Sequence, residues 1–167
     1  MSGEIKYAVF TTSMGWVGVS GSSKGLLCIV LPQRSAKQAR HLLGESLDCA
    51  GRSGDCFGDL IGRLQTYFDG GKATFSDELD LSRATSFQRR VWEVTRLIPC
   101  GETRSYAWVA KQAGRPRAAR AVGQAMARNS LPIIIPCHRV LASDGKLGGF
   151  SDGLEMKRRL LRLEASV

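Results

Sequence analysis

The sequence predicts an α+β protein in two parts, a small β-sheet with helices followed by a mostly helical second half. Three observations predict it. Runs rich in Val, Ile and aromatic residues, broken by glycine turns, are confined to the first thirty or so residues. Apolar positions spaced at the 3.6-residue period dominate from Phe57 onward. The charge is also split unevenly between the halves. Residues 1–81 carry 8 Lys and Arg against 9 Asp and Glu, a net of −1, whereas residues 82–167 carry 16 against 6, a net of +10. The expected division is therefore a sheet-plus-helix domain at 1–82 and a basic domain at 83–167.

The chain has 167 residues, 43% of them hydrophobic and 23% charged, which excludes wholesale disorder. No apolar stretch approaches the ~20 residues needed to cross a bilayer, and the first ten residues lack a basic-then-apolar leader pattern. The expectation is a soluble cytoplasmic protein that does not engage membranes. The five cysteines are Cys28, Cys49, Cys56, Cys100 and Cys137, an odd number with no C-x-x-C spacing. With only His41 and His138 to add imidazole, no metal site is expected.

Strands are expected at Tyr7–Thr12, Trp16–Ser20 and Leu26–Leu31, separated by Gly15 and by the glycine-serine run at 21–25. Ser35 can cap a short helix running toward Leu47, followed by a loop around 48–55. A clearer helix carries Phe57, Leu60, Ile61, Leu64, Tyr67 and Phe68 on one stripe and ends at Gly70-Gly71. Residues 72–84 are polar and weakly periodic, so the domain boundary is placed there.

Thr85-Ser86-Phe87-Gln88 reads as a capping box, and the helix it opens carries Phe87, Val91, Val94 and Ile98 until Pro99 stops it. Ser105 caps a helix from Tyr106 to Ala113, Gly114 closes it, and Pro116 opens another reaching about Ala127. Two helices joined by a short glycine-containing turn form a helix-turn-helix or an ordinary helical hairpin. No acid lies between Glu102 and Asp144, whereas seven basic residues do, among them Arg115, Arg117, Arg120 and Arg128. That field favours a polyanion. The second helix, ARAVGQAMA from Ala119, is mostly small and apolar, and Gln124 is its one uncharged side chain suited to a bidentate base contact. Affinity would come from phosphate contacts, with little sequence preference.

Leu131 to Pro136 reads as a short buried strand bracketed by prolines, leading into Cys137-His138-Arg139-Val140. Taken alone, Cys137 is a buried thiol at a strand end and His138 a hydrogen-bonded structural residue. Together they suggest a nucleophile, because a neighbouring imidazole and cationic surroundings favour the reactive thiolate. Adjacent strand residues face opposite ways, so a bridging water or a turn after Pro136 is required, as is a third group to orient the imidazole. No GxxxxGK[ST] or GxGxxG is present, and no cofactor is expected. A non-enzymatic DNA-binding module and a Cys-His hydrolase both remain open at this point.

The segment PCHRV at 136–140, preceded by Asn129 and by GRPRAARAVGQAMARN at 114–129, resembles the O6-alkylguanine–DNA alkyltransferases, also called methylated-DNA–protein-cysteine methyltransferases. The likeness runs from Phe87 to Glu164 and includes IPCGETRSY, GKLGGFSDG and KRRLLRLE. It implies a ribonuclease H-like first domain, a winged-helix-like second domain, and irreversible, stoichiometric transfer of the alkyl group from O6-alkylguanine to Cys137. O4-alkylthymine is a second candidate substrate. By the same resemblance, His138 takes the thiol proton through a water, Glu164 orients His138, and Asn129 ties the helix pair to the active-site turn. Tyr106 contacts the flipped base and helps protonate the leaving guanine. Arg120 fills the gap left in the base stack, while the helix carrying Ala118, Ala119, Ala121 and Gln124 enters the minor groove with Arg117 and Arg128 nearby. Met126, Val140, Gly148, Gly149, Phe150 and Ser151 shape the pocket. The partner is double-stranded DNA, and the protein is a monomer in solution, with cooperative assembly on DNA left open. Phe150 stands where many relatives carry tyrosine, and Asp152 where relatives often carry glycine or a basic residue, which bears on the range of adducts accepted.

Overall fold

The computed structural model describes residues 4–44, 51–52 and 54–165. They divide into two units, Met1–Asp80 and Leu81–Val167.

In the first unit, β1 (Lys6–Thr12), β2 (Gly15–Ser22) and β3 (Gly25–Gln33) form an antiparallel meander, and the short β4 (Gly51–Arg52) pairs parallel to β1, giving the order β3-β2-β1-β4. Alternation along the strands sets the packing. Tyr7 and Val30 join Ala39 and Leu43 of α1 (Ala36–Leu43) in one buried cluster, with Val9, Trp16 and Cys28 against it. Gly18 admits that helix, since a Cβ there would lie 2.9 Å from the Leu43 side chain. Ser35 caps α1, its Oγ accepting the Gln38 N–H at 3.1 Å, worth about 1 kcal/mol.

The helix stops at Leu43, before Leu47, because Gly44 turns the chain with φ +109°. The rest of that expected helix and the start of the expected loop fall at 45–50, outside the described residues. α2 (Leu60–Phe68) buries Leu60, Leu64, Tyr67 and Phe68 and packs on β1. It starts later than its apolar stripe suggests, since Gly54–Phe57 form a 3-10 turn and Gly58 takes φ +50°. The segment in which the domain boundary was placed is joined to β3 by the Leu26 N–H donating to Glu78 O at 2.9 Å and the Asp80 N–H to Leu26 O at 2.8 Å.

In the second unit, α3 (Ser86–Arg96) starts at the capping box the sequence indicates. Thr85 Oγ1 accepts the Gln88 N–H at 3.1 Å, and Gln88 Oε1 accepts the Thr85 N–H at 3.0 Å. The helix buries Val91, Trp92 and Thr95. α4 (Tyr106–Gln112) is capped by Ser105, whose Oγ accepts the Trp108 N–H at 3.0 Å. α5 (Ala119–Ala127) packs against α4 and α3, and Trp92 Nε1 donates to Ala125 O at 3.0 Å. Small residues make this close approach feasible: Val109, Ala110, Ala113, Val122 and Ala125 are all buried.

Pro116 does not open α5. The chain passes through a turn there, and Ala118, in a non-helical conformation, precedes the first helical residue. The two-residue strands β5 (Arg104–Ser105) and β6 (Val140–Leu141) pair in parallel and bring the start of α4 beside the segment that follows Cys137. α6 (Leu154–Ala165) closes the unit.

Residues 131–136 do not form the expected strand. They are buried but run through turns, with the Ile135 N–H donating to Leu131 O at 2.9 Å. Ile133 has φ +75°, a strained conformation for a β-branched residue that costs roughly 1–3 kcal/mol. Asn129 holds the turn at both ends, its Nδ2 donating to Ile135 O and its Oδ1 accepting the Leu131 N–H, each at 2.9 Å. The apolar run is thus a coiled plug clamped by one amide side chain.

Candidate active site

The plug delivers Cys137–Arg139 as a single 3-10 turn. Its first bonds are the Cys137 N–H to Ile135 O at 2.7 Å and the Arg139 N–H to Pro136 O at 2.9 Å. A bridging water or a turn after Pro136 was the condition for Cys137 and His138 to act together, and the chain does turn there. Cys137 keeps 6% of its surface exposed and His138 none.

On the inner side of the turn, His138 Nε2 lies 2.6 Å from Glu164 Oε1. Arg139 grips the same carboxylate in a fork, Nε to Oε2 at 2.9 Å and Nη2 to Oε1 at 2.8 Å, and its Nη1 donates to Ile98 O at 2.7 Å. Burial works to raise the Glu164 carboxyl, but the hydrogen bonds from His138 and Arg139 prevail and hold it at about 2. Burial lowers His138 below its ordinary value, against the opposing pull of Glu164. The site is therefore a neutral imidazole on an ionised glutamate, with Nε2–H donating. Nδ1 is buried and has no hydrogen-bond partner, so the imidazole's free lone pair is available as a base.

On the outer side, a cavity of about 980 Å³ is lined by Cys137, Tyr106, Ala107, Ala119, Arg120, Gly123, Met126, Ala127, Ala142, Ser143, Gly149, Phe150 and Ser151. That is room for a drug-sized ligand. Tyr106 Oη donates to Gly149 O at 3.4 Å. Gly148 has φ +68°, and a Cβ there would stand 2.9 Å from the Tyr106 hydroxyl, so only glycine fits beside that ring. Burial, and then the nearness of Cys137, raise the Tyr106 phenol above its ordinary value and keep it a proton donor.

Comparison with known proteins identifies the arrangement. The family model described as "6-O-methylguanine DNA methyltransferase, DNA binding domain" matches residues 86–166. A methylated-DNA–protein-cysteine methyltransferase of Methanosarcina acetivorans is 38% identical over 160 residues, covering 96% of this chain and 98% of the relative. One from Mycobacterium tuberculosis is 51% identical over 110 residues, 66% of each chain. The crystal structure of Mycobacterium tuberculosis OGT in complex with DNA superposes with a TM-score of 0.81 at 39% identity, covering 96% of this chain and 93% of the other. The O6-methylguanine-DNA methyltransferase of Pyrococcus kodakaraensis superposes with a TM-score of 0.65 at 30% identity, covering 95% and 98%.

The chain belongs to the methylated-DNA–protein-cysteine methyltransferase family. These are direct-reversal DNA-repair enzymes, which move an alkyl group from DNA to a cysteine of the protein. The structure brings together most of the residues singled out in the sequence. Cys137, Tyr106, Arg120, Ala119, Met126, Gly149, Phe150 and Ser151 share one cavity, and His138, Glu164 and Asn129 stand behind it. Val140 and Gly148 do not line it. Val140 is fully buried, and a Cβ on Gly148 would stand against the Tyr106 ring. Arg117, Gln124 and Arg128 are exposed on or beside α5, and Ala118 and Ala121 are partly so.

The cationic surroundings expected to favour a thiolate are present, in the Lys157 charge, but burial outweighs them. The surroundings do not make Cys137 an easily ionised thiol. Burial pushes it up to about 11, more than Asn129 hydrogen bonding and the Lys157 charge pull it down, and Asp152 adds to the rise. The resting sulfur is protonated.

Sequence reasoning also missed Lys157. It is fully buried, with Nζ donating to Val140 O at 2.8 Å, Leu147 O at 2.5 Å and Gly149 O at 3.3 Å. It lies 5.7 Å from the centre of the Tyr106 ring and 5.9 Å from that of Phe150. All three ammonium protons are thereby used to tie β6 and the 147–149 turn to α6. The signal was its spacing, because Lys157, Leu160 and Glu164 fall at i, i+3 and i+7, the buried stripe of α6.

Proposed function

We propose that this chain binds double-stranded DNA, takes an O6-alkylguanine out of the base stack, and transfers the alkyl group irreversibly to Cys137. The observation that carries the reading is that Cys137 lines the same cavity as Ala119, Arg120 and Gly123 of α5, a helix that bears the exposed Arg120 and is flanked by the exposed Arg117 and Arg128.

Sγ of Cys137 attacks the alkyl carbon, the carbon–oxygen bond breaks with its electrons on O6, and the thiol proton passes through a water to His138 Nδ1. Guanine leaves neutral, taking a proton from Tyr106, whose phenolate recovers one through water as His138 gives up the thiol proton. A thiol with a pKa of about 11 is a poor nucleophile until that proton moves, so His138 and Glu164 are needed at neutral pH. The product thioether has no further step, which makes each molecule single-turnover and cofactor-free.

An alkyl carbon on a paired base is out of reach, and extrusion costs a few kcal/mol. Arg120 offsets that cost by filling the vacated stack. Ala118, Ala119 and Ala121 let α5 approach the minor groove closely, while Arg117, Arg128 and Gln124 add phosphate and groove contacts with little sequence preference. In this reading, α4 and α5 are the helix-turn-helix of a winged-helix-like domain at 83–167, and 1–82 is the ribonuclease H-like domain. The protein is a cytoplasmic monomer, and O4-alkylthymine is a second candidate substrate.

Intact-mass spectrometry after mixing with duplex O6-methylguanine DNA tests the acceptor. The expected result is one added methyl per protein, on the peptide holding Cys137, with Cys137→Ala binding duplex but gaining no mass. Methylation of Cys137→Ala, or turnover without mass gain, refutes the assignment.

A further inference from the structure

The wall that α5 gives to the Cys137 cavity is uneven. Ala119, Gly123 and Ala127 are small, and a Cβ on Gly123 would meet nothing within 4 Å. Arg120 is exposed, which leaves Met126 as the one long apolar side chain of α5 on that wall, nearly buried. Methionine has three rotatable bonds and a soft, adaptable thioether. A wall made of it gives way to whatever presses on it, unless something holds the sulfur.

A polar group stands behind that sulfur. Thr95 of α3 is fully buried, and its Oγ1 donates to Val91 O at 2.7 Å and lies 4.0 Å from Met126 Sδ. A hydroxyl has one proton, so Val91 O takes the larger share and the thioether is the weaker acceptor. One residue earlier on α5, Ala125 O accepts a hydrogen bond from Trp92 Nε1 at 3.0 Å, so α3 grips the backbone and the side chain of this wall separately. Valine would fill the place of Thr95 in α3 without withdrawing a hydroxyl from water. What threonine adds there is an oxygen beside the Met126 sulfur.

We propose that Thr95 is a positioning residue whose hydroxyl fixes the Met126 thioether and so limits the size of the alkyl group that can reach Cys137. The inference deepens the reading above and rests on Cys137 being the acceptor. For any unbranched alkyl group the bond changes are the same: a carbon–sulfur bond forms, the carbon–oxygen bond breaks with its electrons on O6, and the thiol proton leaves through His138. Length enters only through how far the chain must push the wall to bring its first carbon to the sulfur. A methyl group has no chain to accommodate, whereas a butyl group meets Met126 as a fixed surface or as one that retreats. Loss of one modest hydrogen bond corresponds to about a two- to fivefold change in that preference.

The test compares single-turnover rates on duplexes carrying O6-methyl- and O6-butylguanine for the wild type, Thr95→Val, Thr95→Ala and Thr95→Ser, with thermal melts to confirm folding. Valine and alanine lack the hydroxyl, whereas serine keeps it and loses only the methyl group. The expected result is a rise of about two- to fivefold in the butyl-to-methyl rate ratio for Thr95→Val and Thr95→Ala, with Thr95→Ser close to the wild type. In a Met126→Leu background, which has no sulfur to hold, adding Thr95→Val should leave the ratio where Met126→Leu alone puts it. A rise for alanine and serine but not valine overturns the proposal in favour of packing volume. The same rise from Thr95→Val with or without Met126 shows that Thr95 acts by another route, which also overturns it. A ratio unmoved in every variant overturns it while methyl transfer still supports the acceptor, and no methyl transfer to Cys137 by the wild type overturns both.

Discussion

The two sides of Cys137 are built on different principles. The inner side, His138, Glu164 and Arg139, is largely withdrawn from solvent and converges on one carboxylate through charge-assisted hydrogen bonds, so its geometry is set before any substrate arrives. The outer side is open, lined by small residues, a tyrosine and an exposed arginine. The inner side changes the state of the sulfur, and the outer side decides what reaches it. Damage to the first should therefore appear in stability and pH dependence, and damage to the second in the choice of substrate.

The largest effect on stability is expected at Glu164. Glu164→Ala leaves a buried guanidinium and imidazole unpaired, at about 3–5 kcal/mol in chemical denaturation. Because the carboxyl sits at about 2 in the folded protein against an ordinary 4.5, its contribution is fully present above pH 4.5 and is lost as pH falls toward 2. That loss amounts to roughly 3 kcal/mol. Glu164→Gln should abolish that acid limb in urea titrations at pH 5, 4 and 3. It should also slow alkyl transfer near neutral pH, because His138 loses the anion that supports its protonated form. A transfer-rate profile identical to wild type across pH 6–9 would show that His138 is not the proton acceptor.

Lys157→Met comes next, and it acts across both sides. It releases three backbone carbonyls around the 147–149 turn and removes a positive charge near the sulfur. Transfer at pH 7.5 should fall by about tenfold, equivalent to roughly 1.4 kcal/mol. The stability signature has a definite sign. Burial lowers Lys157 from 10.5 to about 8, so from pH 8 to 10.5 the unfolded chain binds more protons and this group makes the wild type relatively more stable as pH rises. Cys137, raised from 9.0 to about 11, works the other way in both proteins. The difference between wild type and Lys157→Met should therefore shift toward the wild type across pH 8–10.5, and a flat difference would place the ammonium in contact with solvent.

How much of this was legible in the sequence follows the same inner–outer line. Thr85 and Gln88 announced their helix because a capping box is a local arrangement four residues long. The Cys137–Val140 segment announced its chemistry because nucleophile and base are neighbours in the chain. Lys157 opens the charged stretch Lys157-Arg158-Arg159, of which only the first is buried, so its residue type hides a position that the stripe with Leu160 and Glu164 marks. The plug at 131–136 was read as a strand because an apolar run has no period of its own, and the Asn129 clamp that coils it is visible only in three dimensions. The high pKa of Cys137 was missed for a related reason: neighbouring charges can be counted from a sequence, but desolvation depends on everything packed around the group.

Arg120 gives the smallest effect and the sharpest separation of the two sides. Its side chain is exposed at the cavity wall and touches nothing in the His138–Glu164 cluster that prepares the sulfur. If it fills the gap left by an extruded nucleotide, its benefit exists only when there is a stack to fill. Arg120→Ala should slow transfer from duplex O6-methylguanine by about tenfold, comparable to the loss of one stabilising insertion, while transfer from the free alkylated base stays within about twofold. The thiol and imidazole are the same in both reactions, so the ratio of the two rates isolates the outer side. Equal slowing on both substrates would mean that Arg120 acts on the bound guanine or on the sulfur itself, and the division between a side that activates and a side that admits would fail at that residue.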